Sequence, residues 1–511
     1  MKNFIYLCSL STLFLLLSCE YEPENTIDEI SSSPETEKVF THPKDLLKRE
    51  FSMALKAGMM QSDALRQLIK QEALKMFDND YDVLYAAIKH QKLENDLTVD
   101  EYLRSYMIDT STMNVIESEL PTLTIFVPVL PEDSFSAALW DTYNDVPEVA
   151  IQLSNSNVVP VVRENTIDLI QPGSIPAFPV VVVKENERVV KAHSGLPVSK
   201  SSIKGGYFRT ASNEEFVFLD DVFNGIDKKL NQGDHVLKSD NFDRLTSTLD
   251  QTVADAYNIY NTADGWQRDY IYYNISPATT KGQFSYDFQE HISFFKLNGD
   301  PRSVYDKISD QSGDPEMYGY KIGSSSSIWT EGFFEFKVRV LFNGRNGLGS
   351  ELITYFSAQP EELFDIEFRK AANLYFPNKI NLIDYHPRLP IFNWDLNQYA
   401  SSIKIEIEEI DLLVTTTITD TRSVKFANNF SIDPIDGILK KIGLKFGSSL
   451  ETTDSQTIQK TFTQGNDQLG AVIINFGDDV VVGRSVMTTL YFIRKYSTGW
   501  FELSLEPQRV Q

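Results

Sequence analysis

Sulfur chemistry is nearly absent from this chain of 511 residues, whose two cysteines, Cys8 and Cys19, both stand close to its start. The rest of the chain can form no disulfide and offers no thiolate to a metal. Histidine is scarce as well. His42, His90, His193, His235, His291 and His386 are scattered, and no two stand at the spacing of a local metal motif or of a zinc-protease helix. Each reads as a surface residue or a satisfied core residue. There is no Gly-x-Ser-x-Gly elbow and no glycine-rich phosphate loop ahead of a helix, so two common chemistries leave no local signature. A constellation gathered from distant loops would leave none either. Positive charge is in deficit, with 47 Lys and Arg against 72 Asp and Glu. That field repels nucleic acid and anionic lipid, and no basic patch relieves it. Long apolar runs are also missing. The one candidate, residues 4–17, is too short to span a bilayer as a helix and has the length of a signal-peptide core.

That run ends in Leu16-Leu17-Ser18-Cys19, which resembles the lipobox of bacterial lipoproteins. The resemblance implies that residues 1–18 are a signal peptide, that Cys8 leaves with it, and that Cys19 is the lipidation site, with palmitate-like chains as the membrane anchor. Each buried methylene contributes roughly 0.8 kcal/mol, so several chains together hold a protein where one is marginal. The next residues, Glu20-Tyr21-Glu22-Pro23-Glu24, resemble export signals that send some lipoproteins to the outer face of the outer membrane. They serve equally as a solvated spacer. Residues 19–40 are poor in large apolar side chains and read as a flexible acidic tether. Loss of Lys2 on cleavage leaves 46 basic against 72 acidic side chains.

Beyond the tether, a hydrophobic content of 42% and an aromatic content of 12% are ample for a core without cross-links. Residues 41–190 read as a helical unit followed by short strands. Leu47, Phe51, Ala54 and Leu55 share one helical face; Leu65, Leu68, Ile69, Ala73, Met76 and Phe77 extend a second, with Ser62 placed to cap it. A third helix is expected from near Asp80, and Thr98-Val99-Asp100-Glu101 has capping-box spacing. Strands are expected at 123–129, 149–153, 158–162 and 179–183, several carrying proline, with a short helix between Asp133 and Trp140 and another strand after the turn Glu185-Asn186-Glu187. The helical unit and these strands, notably residues 72–85 and 179–190, resemble the N-terminal part of uncharacterised exported bacterial lipoproteins. That resemblance brings no known activity and no functional residue. Residues 191–215 read as a linker, 216–385 as a mixed and then β-rich domain, and 386–511 as a C-terminal β-sandwich-like domain. Helices are expected around 220–230 and 240–263. Phe334, Phe336, Val338, Val340 and Phe342 alternate with Glu335, Lys337 and Arg339, as Ile403, Ile405 and Ile407 do with Lys404, Glu406 and Glu408, predicting strands with one wet face. The expected class is a multidomain α+β protein, an N-terminal helical unit followed by mainly β domains of sandwich type.

Three sets of side chains carry candidate chemistry. Asp78, Asp80 and Asp82 alternate as hard oxygen ligands for calcium would, but Val83 and Lys89 stand where an EF-hand needs glycine and glutamate. The competing reading closes one helix and caps the next with these acids. Adjacent carboxylates at Asp220-Asp221, Glu408-Glu409 and Asp478-Asp479 point to opposite faces of a strand and read as turns and wet faces. Trp266, Tyr270 and Tyr273, with Tyr272, Trp329 and Trp394, offer flat platforms for a sugar, against a plainer reading as core. No reacting group, cofactor or metal is recognisable. The expected role is a membrane-anchored lipoprotein that binds or scaffolds a protein or glycan; a glycan-binding lipoprotein and a hydrolase with dispersed residues are the alternatives.

Overall fold

The computed structural model describes residues 38–510, apart from 94–95, 155, 157, 165, 193–205, 229–248, 310–313, 316–328, 345–350, 411–416, 425–455, 464–466, 486 and 488–489. Residues 1–37, with Cys8, Cys19 and most of the expected tether, lie outside this set. The class is α+β, an N-terminal helical unit followed by mainly β structure.

Helix α1 (Pro43–Gln61) starts where proline at its first position has no amide to satisfy and His42 accepts from the Lys44 N–H. Its face of Phe51, Ala54, Leu55 and Met59 is buried. Ser62 closes α1 and caps α2 (Asp63–Ala73), accepting from the Leu65 N–H at 3.1 Å. The second helix stops short of Met76 and Phe77, because Met76 turns left-handed at φ 47°. The third helix does not begin near Asp80. Residues Asp82–Leu84 form strand β1, and only Tyr85–Ile88 (α3) are helical, without a side-chain cap. Helix α4 (Val99–Arg104) has both halves of the capping box, and α5 (Thr112–Glu119) comes after it.

Strands β2 (Leu123–Phe126), β3 (Glu148–Ile151), β4 (Val159–Val162) and β5 (Ile167–Ile170) come next, then β6 (Ile175–Pro176) and β7 (Val180–Glu185). The expected helix before Trp140 is a single 3-10 turn at Pro131–Asp133, where Glu132 and Asp133 take left-handed backbone. One sheet has the order β1-β2-β7-β3-β4-β5, with β3 and β7 parallel and the rest antiparallel. Helix α1 lies against β3, β4 and β7. The run Val180-Val181-Val182-Val183 is buried throughout because a central strand of such a sheet has no wet face.

The expected linker contains structure. Strands β8 (Val189–Lys191), β9 (Tyr207–Arg209) and β10 (Glu215–Phe218) form a small sheet ordered β8-β10-β9. Its Phe216 and Phe218 join Val222, Phe223 and Ile410 in a satellite cluster. Short helix α6 (Gly225–Lys228) succeeds a 3-10 turn, and α7 (Gln251–Tyr260) lies within the expected 240–263 helix. Residues Gln267–Tyr273 form helix α8.

From β11 (Phe288–Leu297) onward the chain is mainly strand, with α9 (Pro301–Ile308) before β12 (Phe334–Gly344) and β13 (Glu351–Ala358). Helix α10 (Pro360–Leu363) leads into the hairpin β14 (Phe364–Ala371) and β15 (Leu374–Leu382), which also pairs with β6. Then come β16 (Leu389–Pro390), β17 (Tyr399–Glu409), the pair β18 (Thr417–Val424) and β19 (Gln456–Thr463), and β20 (Asp467–Asn475). The last are β21 (Val481–Arg484), β22 (Tyr491–Ile493), β23 (Tyr496–Ser497) and β24 (Phe501–Arg509). Two four-stranded sheets, β16-β11-β24-β23 and β13-β12-β17-β20, meet through Phe295, which lies 5.6 Å from Phe336 and 5.2 Å from Phe356 between ring centres. Because β11 pairs with β24 and β12 with β17, strands from both sides of residue 385 share the same sheets. The expected division at 385/386 therefore does not part them. One hydrophobic core runs from Phe40 to Leu505.

The expected wet face of β12 is covered. Glu335, Lys337 and Arg339 are buried, and Arg339 pairs with Glu408 at 3.0 Å and Glu351 at 2.7 Å. Lys337 lies over Tyr355, a ring of the satellite cluster, so the small sheet's apolar cluster closes over this charged row. No helix among the described residues is long and apolar enough to cross a membrane.

Candidate functional site

Between the six-stranded sheet and β12 lies a group of charges largely shielded from water, with Glu187 at its rim. Asp78 and Asp80 sit on the segment joining α2 to β1 and Asp82 opens β1, each with no exposed surface. Left-handed Met76 and Asn79, at φ 47° and 64°, turn this segment. Asparagine tolerates that conformation, and its side-chain amide is held by the Val222 carbonyl. The β7–β8 turn faces the acids. There Asn186 donates to Asp78 Oδ2 at 2.7 Å and Asp82 Oδ2 at 3.0 Å, while its own Oδ1 accepts from the N–H groups of Arg188 and Val189. Glu331 and Glu335 close the third side.

Two cations serve six carboxylates. Lys184 Nζ stands 2.7 Å from Glu331, 3.0 Å from Glu187 and 3.7 Å from Asp82, above the Phe126 ring. Arg188 reaches Glu335 at 2.9 Å, Asp80 at 3.3 Å and Glu187 at 3.4 Å. Glu331 also accepts from Gln152. Burial, with Arg188 opposing it, lifts Asp78 to about 6; burial, with Lys184 opposing it, lifts Glu331 to about 8. Burial also pushes Asp80 and Asp82 upward. For Lys184 and Arg188 burial disfavours the charge, but the surrounding carboxylates outweigh it and hold both well above their ordinary range.

Asp82 Oδ1 accepts no hydrogen bond, and Asp80 Oδ2 has only the Arg188 guanidinium near it, at 3.3 Å. Asp80, Asp82 and Glu187 each present one carboxylate oxygen within 4.8 Å of the others. Gly332 lies against Asp80, where an added Cβ would fall 2.0 Å from Oδ1. A narrow cleft lined by Tyr81, Phe126, Glu331, Gly332 and Glu361 adjoins the group. Such an arrangement can retain protons or take up a hard cation, and Asp80, Asp82 and Glu187 are the residues placed to hold one. No known protein family, curated protein or solved structure matches the chain.

The structure thus gathers Asp78, Asp80 and Asp82 but does not use them as helix caps, since the element they lead into is strand β1. Lys184, Asn186, Glu187, Arg188 and Glu331 are not singled out by sequence reasoning. The available signal is the charged stretch Lys184-Glu185-Asn186-Glu187-Arg188 set between two valine runs. The aromatic platform is not formed by the expected residues. Trp266 and Tyr273 are buried and Tyr270 packs against the core, with Trp266 edge-on to Phe476 at 5.9 Å and Tyr273 edge-on to Phe284 at 5.4 Å. Rings enclosed in this way cannot stack on a sugar. Trp329 and Trp394 are buried too.

Among the carboxylate pairs, Asp220 caps the turn at Asp221–Phe223, while Glu408 and Glu409 are buried rather than wet. Asp478 Oδ2 accepts from the Asn475 N–H in a turn, but β20 and β21 pair with other strands and form no hairpin with each other. His291 and His386 each place Nδ1 on a backbone carbonyl, at Gln289 and Ser293; His90 is exposed, and His193 and His235 lie outside the described residues.

Proposed function

We propose that this chain is an exported lipoprotein, held at the outer membrane by lipid on Cys19, that acts in the cell envelope by binding or scaffolding a partner protein. The observation that carries the reading is the apolar run ending in Leu16-Leu17-Ser18-Cys19. Phe40 is buried in the main core with the Arg49 guanidinium 5.5 Å above its ring, at the position where the sequence ends the tether. A stalk of about twenty residues would then connect a lipid to the body of packed sheets. The glycan-binding alternative loses its support with the burial of Trp266 and Tyr273. Growth of producing cells with labelled palmitate, comparing wild type with Cys19→Ala, tests the proposal. The expected outcome is label in the envelope fraction for wild type, and an unlabelled variant that retains residues 1–18. Equal labelling of the two proteins would overturn it.

A further inference from the structure

We infer that the carboxylates of Asp80, Asp82 and Glu187 form a binding site for a hard divalent cation, with calcium the best match. The site is independent of the lipid anchor. Three observations converge on it beyond the presence of acids. Asp82 has no exposed surface, yet its Oδ1 accepts no hydrogen bond from any donor. An ionised oxygen left so in a dry interior costs several kcal/mol unless a cation or a proton takes it. The second is spacing: the ligand atoms of Asp80, Asp82 and Glu187 lie within 4.8 Å of one another. Oxygens that each bond one calcium at roughly 2.3–2.6 Å stand no farther apart than about twice that length, so little movement closes the set.

The third is the packing around the group. Asn186 clamps Asp78 and Asp82 from one side, and Gly332 leaves no room for a side chain beside Asp80, so the carboxylates are held before any ion arrives. Lys184 and Arg188 meet only part of the negative charge of Asp78, Asp80, Asp82, Glu187, Glu331 and Glu335. Their presence also predicts the strength. Two fixed cations a few ångströms away repel a third, so affinity belongs in the range of extracellular modules, on the order of 10⁻⁴ M, rather than that of tight cytosolic buffers. Glu187, with 16% of its side chain exposed, gives the ion its way in. The oxygen-only donor set excludes the softer, thiolate- and imidazole-seeking metals.

The test uses the full mature chain, stripped with a chelator and dialysed, and titrated with calcium alone and then magnesium alone by calorimetry and thermal unfolding. Binding of calcium on the order of 10⁻⁴ M is expected. A concentration a hundredfold higher then shifts the folding equilibrium about a hundredfold and raises Tm. Magnesium, which demands a tighter octahedron, binds more weakly. Glu187→Gln, at the solvent rim, folds normally and lowers calcium affinity at least about tenfold. Asp82→Asn abolishes the calcium-dependent rise in Tm. No heat and no Tm change with either ion would overturn the inference, as would equal calcium binding by Glu187→Gln and wild type. A more stable Asp82→Asn protein whose Tm ignores calcium, beside a wild type that also ignores it, would show a proton-neutralised charge network instead.

Discussion

Asp269 on α8 has no exposed surface, and neither of its carboxylate oxygens accepts a hydrogen bond. Burial alone lifts it to about 8 from an ordinary 3.8. Between those values the folded chain keeps a proton that the unfolded chain has released. Stability therefore falls as pH rises through that window and levels off above about 8. Asp269→Asn removes the ionisation, so the variant lies below wild type near pH 4, where only the unmatched amide counts, and exceeds it increasingly toward pH 8, by on the order of 3 kcal/mol. Urea unfolding at several pH values measures the difference, and a pH-independent gap would contradict the assignment. Gly332 makes a second residue-scale prediction. A methyl group there would overlap the Asp80 carboxylate, so Gly332→Ala destabilises by about 1–3 kcal/mol in the same assay. The alternation of Asp78, Asp80 and Asp82 is plain in the sequence, whereas their meeting with Lys184, Arg188 and Glu331 is not. Contacts across more than a hundred positions are set by sheet pairing, which no local pattern encodes.

At the scale of elements, caps and periodic apolar faces were legible because their causes are local. The Ser62 cap and the Thr98/Glu101 capping box stand where the sequence puts them. Thr98→Ala should cost about 1 kcal/mol, seen as a lower denaturation midpoint with an unchanged slope. Wetness was not legible. The alternation in β12 correctly gives a strand, but periodicity reports only that two faces differ, and Arg339, Glu408 and Glu351 satisfy one another under a covering sheet. Helix α8 was hidden for a related reason: its aromatic residues favour strands, and packing on Phe284 and Phe476 overrides that preference. The helix is fastened to β11 by Arg268, which holds Glu290 at 2.7 and 3.2 Å in full burial while Tyr272 donates to the same carboxylate. Arg268→Met strands that carboxylate and should cost about 3–5 kcal/mol. The double variant Arg268→Met/Glu290→Leu should recover most of the loss, and failure to recover would show that the arginine's packing, not its charge, carries the effect.

For the whole molecule, composition indicates a self-sufficient core without disulfides, and the structure has one, continuous from Phe40 to Leu505. The sequence suggests two successive sandwiches because strands appear in two stretches. Long-range pairing of β11 with β24 instead joins the stretches, a choice made by the register of Phe288 opposite Arg509 and Leu297 opposite Phe501. No helix among the described residues is long and apolar enough to cross a membrane, and the proposed attachment rests on lipid at Cys19. Intact-mass and N-terminal peptide analysis of the mature protein from native membranes tests that most directly. The expected result is a chain beginning at Cys19 with acyl groups attached; an unmodified cysteine, or a chain that starts elsewhere, would contradict it.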